Sequence, residues 1–206
     1  MKIIDNYLFD LDGDEFLLRS FDYHETKKKI NKYPLLHLDK IYILDIDEDL
    51  KQMYDLLVED ITYLIICVKM ETKKAVFTYP VFDDSVQFKM FWKFYNNKID
   101  RRKRTKIIPY IKDNRSFLMK NNKPVLIAKK INVEFEQFDN IIQMNIALNK
   151  NFLVRKVLKY ILSKDKSIYV GLTIETYEED LCEEELLCIF GLNNLRELND
   201  INYQSL

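Results

Sequence analysis

KIYILDIDEDLKQMYDLLVEDITYLIICVKM, residues 40–70, is the stretch on which the fold reading turns. Its opening, KIYILDID (40–47), is an apolar run bounded by charge and reads as a buried strand. Its close, ITYLIICVKM (61–70), reads the same way. Between them, over about 48–58, Leu50, Tyr54, Leu57 and Val58 recur at helical spacing and predict a helix with one apolar face. Strand, helix and strand in this order form a βαβ crossover unit, which is right-handed in nearly all sheets. The acidic residues Asp45, Asp47, Glu48 and Asp49 stand where the first strand ends and the helix opens. Carboxylates there can hold Mg²⁺, but they are also the preferred caps and first-turn residues of a helix, and capping is the better reading.

Downstream, AVFTYPVF (75–82) pairs with 61–70 across ETKK, with Pro80 marking an end or an edge position. DDSVQFKMFWKFYNNK (83–98) reads as a helix capped by Asp83 or Asp84. RSFLMK and KPVLIAKKINVEF form a hairpin across Asn121-Asn122. IIQMNIALNK (141–150) fits both periods; the alternation of Ile142, Met144, Ile146 and Leu148 favours a strand. FLVRKVLKYILSK (152–164) is predicted helical, KSIYVGLTIET (166–176) extended, and EEDLCEEELLCIFG (178–191) a helix ended by Gly191. The strand–helix–strand layout therefore occurs twice, near 40–69 and near 141–175. The expected fold class is α/β or α+β: a mixed β-sheet with hairpins and two strand–helix–strand units, the helices packed on the sheet. No Pro-, Gly- or Ser-rich linker divides the chain, so 1–206 reads as a single domain, with a possible subdivision near 98–115.

Upstream, YLFDLDGDEFLLRSF (7–21) reads as a hairpin, because Asp12-Gly13 between alternating apolar residues is a two-residue turn signal. The same residues carry a resemblance. Asp10-x-Asp12-Gly13 resembles the first motif of the haloacid-dehalogenase-type phosphatases. That resemblance implies a phosphohydrolase with Asp10 as nucleophile and Asp12 as acid/base; a Mg²⁺-dependent form of this reading would take Asp45 or Asp47 as metal ligands. It covers about seven residues; the family's threonine after the glycine is Asp14 here, and its later lysine and paired acids have no counterpart. An EF-hand reading of Asp10, Asp12 and Asp14 fails at Glu15 and Phe21, where that loop needs Gly and Glu.

Composition excludes several functions. Of 206 residues only Gly13, Gly171 and Gly191 are glycine. Phosphate-cradling loops need clustered glycines so that the backbone can approach the ligand, and none can be built here. With His24 and His37 as the only histidines and no C-x-x-C, a structural zinc site is not expected. Cys67 sits in the apolar run TYLIICV and reads as a buried thiol. The longest apolar stretch, Ile61 to Val68, falls far short of the about 20 residues a bilayer span needs. The N-terminal charges at Asp5 and Asp10 do not suit a secretory signal. A cytoplasmic setting is expected, with no cofactor, no metal site, no membrane partner and no assembled catalytic set.

Charge is segregated along the chain. Residues 1–60 hold 8 basic and 15 acidic residues, 61–130 hold 17 and 5, and 131–206 hold 7 and 13, for a total of −1. Lys98, Arg101, Arg102, Lys103, Arg104 and Lys106 form the centre of the basic block, just after the aromatics Phe88, Phe91, Trp92, Phe94 and Tyr95. Basic residues among aromatics suit phosphate contact and base stacking, so 89–130 is a candidate nucleic-acid interface. Against that, the balanced total charge is unlike a nucleic-acid binder. The leading expectation is a non-catalytic, cytoplasmic macromolecule-binding protein of the inhibitor or immunity type, as in host–parasite conflict, acting by protein–protein contact. Nucleic-acid binding and the phosphohydrolase are the alternatives.

Overall fold

A computed structural model describes residues 1–4, 17–19, 29–31, 34–82, 105–111, 125–126, 132–148, 168–178 and 181–191. Among these, twelve strands and one four-residue helix form three sheets. The largest has six strands in the order β1 (Lys2–Ile4), β4 (Lys40–Asp45), β6 (Lys73–Val81), β5 (Thr62–Lys69), β10 (Ile141–Ala147) and β9 (Asn132–Phe138). All its pairings are antiparallel except β5 with β10. The second sheet runs β12 (Leu181–Gly191), β11 (Ile168–Glu178), β7 (Thr105–Ile111) and β8 (Val125–Leu126). β2 (Leu17–Arg19) and β3 (Lys29–Asn31) form a separate pair.

This corrects the expected fold class. Among the described residues the chain is mostly β, with the single helix α1 (Lys51–Tyr54) in place of several helices packed on a sheet. The first strand–helix–strand unit is reduced to the four-residue α1 in an otherwise irregular connection. β4 and β5 run in the same direction, but β6 lies between them, paired antiparallel to both. The connection 46–61 thus crosses over one strand, and only its centre is helical. The second unit fails, because β10 and β11 belong to different sheets. The predicted helices at 83–98 and 152–164, the Asp12-Gly13 turn and the Asn121-Asn122 turn lie outside the described residues.

The helix expected over 178–191 is strand β12, and its misleading pattern has a physical cause. Leu172 pairs with Cys188 but Thr173 pairs with Leu186, so Leu187 is an extra, bulged residue. Across the bulge the two-residue alternation gains one position. Leu186 and Ile189 then fall in one cluster while Leu187, Cys188 and Phe190 fall in another. A spacing of three within a strand reads as a helix. The bulge is anchored from outside: Leu35 and Leu36 donate backbone N–H groups to the Leu186 and Leu187 carbonyls at 2.9 and 2.8 Å.

The strands expected over 40–47, 61–70, 75–82, 141–150 and 166–176 are present, whereas KPVLIAKKINVEF, expected as one hairpin arm, is divided between β8 and β9, which lie in different sheets. IIQMNIA is β10, and every residue of it is buried, because it lies in the interior of a sheet covered on both faces. β5 and β6 form the expected hairpin. Pro80 sits opposite Tyr63, beyond the last residue that pairs with β4, where its missing N–H leaves no gap in a ladder. The two sheets pack through one apolar layer. Ile41, Ile43, Leu64, Ile66, Val68, Phe77, Tyr79, Ile142, Met144 and Ile146 face Leu172, Leu187, Cys188 and Phe190. Each such fully buried side chain stabilises the fold by roughly 1.5–3 kcal/mol relative to exposure. No helix among the described residues is long and apolar enough to cross a membrane.

Candidate functional site: the outer face and its crossover

The register places a second set of side chains on the outer face of the six-stranded sheet. Tyr42, Leu44, Tyr63, Ile65, Cys67, Val76 and Ile141 form an apolar layer there. Lys74, Thr78, Gln143 and Asn145 share this face and are also buried. The crossover 46–61 lies over it. Met53 is fully buried against the sheet, with Leu50, Tyr54, Leu57 and Ile61 packed beside it. Val58, expected on the same apolar stripe, points away and is exposed.

Each buried polar side chain on this face has a local task. Lys74 donates through Nζ to the carbonyls of Ile46 (3.2 Å) and Glu48, fixing the start of the crossover. Tyr54 donates its hydroxyl to Gln143 Oε1 and meets Phe138 edge-on at 5.0 Å, fixing the middle. Asn140 donates through Nδ2 to the carbonyls of Glu59 (2.8 Å) and Ile61, fixing the end. Asn140 follows Asp139, whose φ of 48° lets two residues join β9 to β10. Gln143 Nε2 in turn donates to Asn145 Oδ1 at 2.9 Å and, at 3.5 Å, to Glu136 Oε2. On β6, Thr78 Oγ1 accepts from Lys40 N at 3.2 Å.

Titration follows burial. The Cys67 thiol is pushed up to about 11, chiefly by burial, with Lys69 and Lys74 opposing. Burial also holds the Tyr54 hydroxyl well above its ordinary range, and Cys67 and Glu136 add to this. In the inner layer, burial raises Tyr79 and Cys188 as well, and Tyr79 donates to the Ile189 carbonyl at 2.8 Å. A thiol is nucleophilic as thiolate, so these shifts suit packing and make neither cysteine reactive.

The acidic run after β4 takes the roles expected of turn residues. Asp45 is exposed and ion-paired to Lys73, whose hydrogen bond holds its carboxyl below the usual range. Glu48 Oε2 accepts from the Asp45 N–H at 2.7 Å, and Asp49 Oδ1 accepts from the Lys51 N–H at 3.1 Å. Asp47 is exposed. No cluster of three metal-binding side chains occurs among the described residues. Of the basic residues singled out in the sequence, Lys106 lies in β7 and is buried, opposite Leu126 and Thr173. Lys98, Arg101, Arg102, Lys103 and Arg104 lie outside the described residues, as do Asp10 and Asp12.

Sequence reasoning missed Lys74, Asn140, Gln143 and Asn145. A signal was present: Gln143 and Asn145 interrupt an apolar strand two residues apart, which puts both on one face.

Residues 9–196 match a family model described as Protein ENHANCED DISEASE RESISTANCE 2, C-terminal. Neither the curated proteins nor the solved structures include a match to the chain.

Proposed function

We infer that this chain, which belongs to the Protein ENHANCED DISEASE RESISTANCE 2, C-terminal family, acts as a non-catalytic binding protein that works by protein–protein contact. The observation that supports the reading is the direction in which the outer face uses its chemistry. Lys74, Tyr54, Gln143 and Asn140 turn inward to hold 46–61 at its start, middle and end. They present a fixed surface segment, and a fixed segment lowers the ordering cost a partner must overcome on binding. The finer reading is an inhibitor or immunity-type protein in the cytoplasm. Steric blocking requires a rigid surface, and segregated charge steers the encounter.

The test is recovery of a partner from nuclease-treated native lysate on the tagged full chain. A stoichiometric protein partner is expected. Recovery of nucleic acid from untreated lysate, with no protein retained after nuclease, would overturn the reading.

A further inference from the structure

The crossover has an upper side as well as a pinned underside. Leu56 and Val58 are 49% and 56% exposed there. They sit in a segment held down by Asn140, which bonds the Glu59 and Ile61 carbonyls, and by Leu57, which packs inward between Leu56 and Val58. Phe82, 61% exposed, leaves β6 at the same end of the sheet, one residue past the pairing of Val81 with Thr62. Among the described residues, the exposed charges around these apolar groups are one-signed: Asp55, Glu59, Asp60 and, on the adjoining β9–β10 turn, Asp139. Lys51, one helical turn before Asp55, is the nearest exposed cation in the segment. Apolar residues fixed outward inside an acidic rim are the anatomy of an interface core and its steering rim.

We propose that the tip formed by Leu56, Val58 and Phe82, with its acidic rim, is a docking surface for a basic, apolar segment of a partner protein. The acidic rim repels phosphate backbones and anionic lipid headgroups, which leaves a cationic polypeptide as the matching class. The assignment rests on the binding role inferred above and locates it on the surface.

The experiment uses the full chain and a fluorescent 14-residue Leu/Lys amphipathic peptide, with a Leu/Glu peptide of the same pattern beside it. Anisotropy is expected to show saturable binding of the Leu/Lys peptide that weakens as salt rises, because exposed charges are screened over about 8 Å at physiological ionic strength. Asp55→Asn, Glu59→Gln and Asp60→Asn together are expected to weaken it about tenfold, each exposed charge contributing a small share. Leu56→Ser with Val58→Ser is expected to do at least as much. Asp47→Asn with Glu71→Gln, neutralising exposed acids at the opposite end of the sheet, is expected to change nothing. Equal loss from that control pair, equal binding of the Leu/Glu peptide, or no effect of the serine pair would each overturn the proposal. So would binding to phosphatidylcholine vesicles that the serine pair abolishes, since the tip would then serve a bilayer. If the lysate partner is retained by the serine pair, the binding role stands and this surface is removed from it.

Discussion

On β5, Leu64, Ile66 and Val68 turn to the inner face, whereas Tyr63, Ile65 and Cys67 turn to the outer one, and all six are buried. The two faces are thus equally dry, yet they differ in what they hold. Inside, apolar side chains of two sheets meet, and the Tyr79 hydroxyl finds a backbone carbonyl. Outside, an apolar layer is crossed by Lys74, Thr78, Gln143 and Asn145, and three polar anchors fix an irregular segment. An apolar contact is indifferent to small shifts of its partner. A hydrogen bond to one named carbonyl is not. The inner face therefore sets how stable the fold is, and the outer face sets where 46–61 lies.

The largest effect is expected from the inner face. Phe77→Ala removes a fully buried ring that packs on Phe190 at 5.3 Å between centroids, and should cost about 3–5 kcal/mol in urea unfolding. A cost below 1 kcal/mol would mean that the two sheets do not share one core. Next, Gln143→Leu keeps the volume but strands the Tyr54 hydroxyl and the Asn145 carbonyl oxygen. A loss of about 2–3 kcal/mol is expected. Hydrogen exchange should rise over 50–61 more than across β5 and β6; uniform acceleration would erase the distinction between the faces.

The smallest effect is a pH dependence. Burial pushes the Cys67 thiol up to about 11 from an ordinary value of 9.0, so the folded state favours the protonated thiol. Its contribution is whole below pH 9 and is lost as pH rises through about 11. Burial pushes Tyr54, Tyr79 and Cys188 in the same direction, so alkaline unfolding has contributions from both faces. Cys67→Ala should flatten the stability profile between pH 9 and 11 only in part. A profile left unchanged by that substitution would place the thiol in contact with solvent.

Long apolar runs were legible in the sequence because burial on two sides leaves little choice of residue. The runs 40–47, 61–70, 75–82 and 141–150 mark β4, β5, β6 and β10 to within three residues at either end for that reason. β12 was misread because one bulged residue, Leu187, turned a period of two into a spacing of three. The crossover was overextended as a helix because Val58 completed an apolar stripe. The structure instead turns Val58 outward and uses Asn140, some eighty positions away, to deliver the chain into β5. Such distant anchors leave no local pattern to read. Gln143 and Asn145 did leave one, since a polar pair at a spacing of two in an apolar strand marks a face with something to hold.

The placement of β6 between β4 and β5 has a consequence for chain connectivity. The two strands are joined twice, once covalently through 46–61 and once through the ladders that β6 makes to each. The second link does not pass through the crossover. A peptide bond cut at the exposed Leu56–Val58 tip would therefore leave β4 and β5 in register, with Lys74 still gripping the upstream stub and Asn140 the downstream one. A segment that shows much of itself to solvent is thus one whose continuity the sheet does not require.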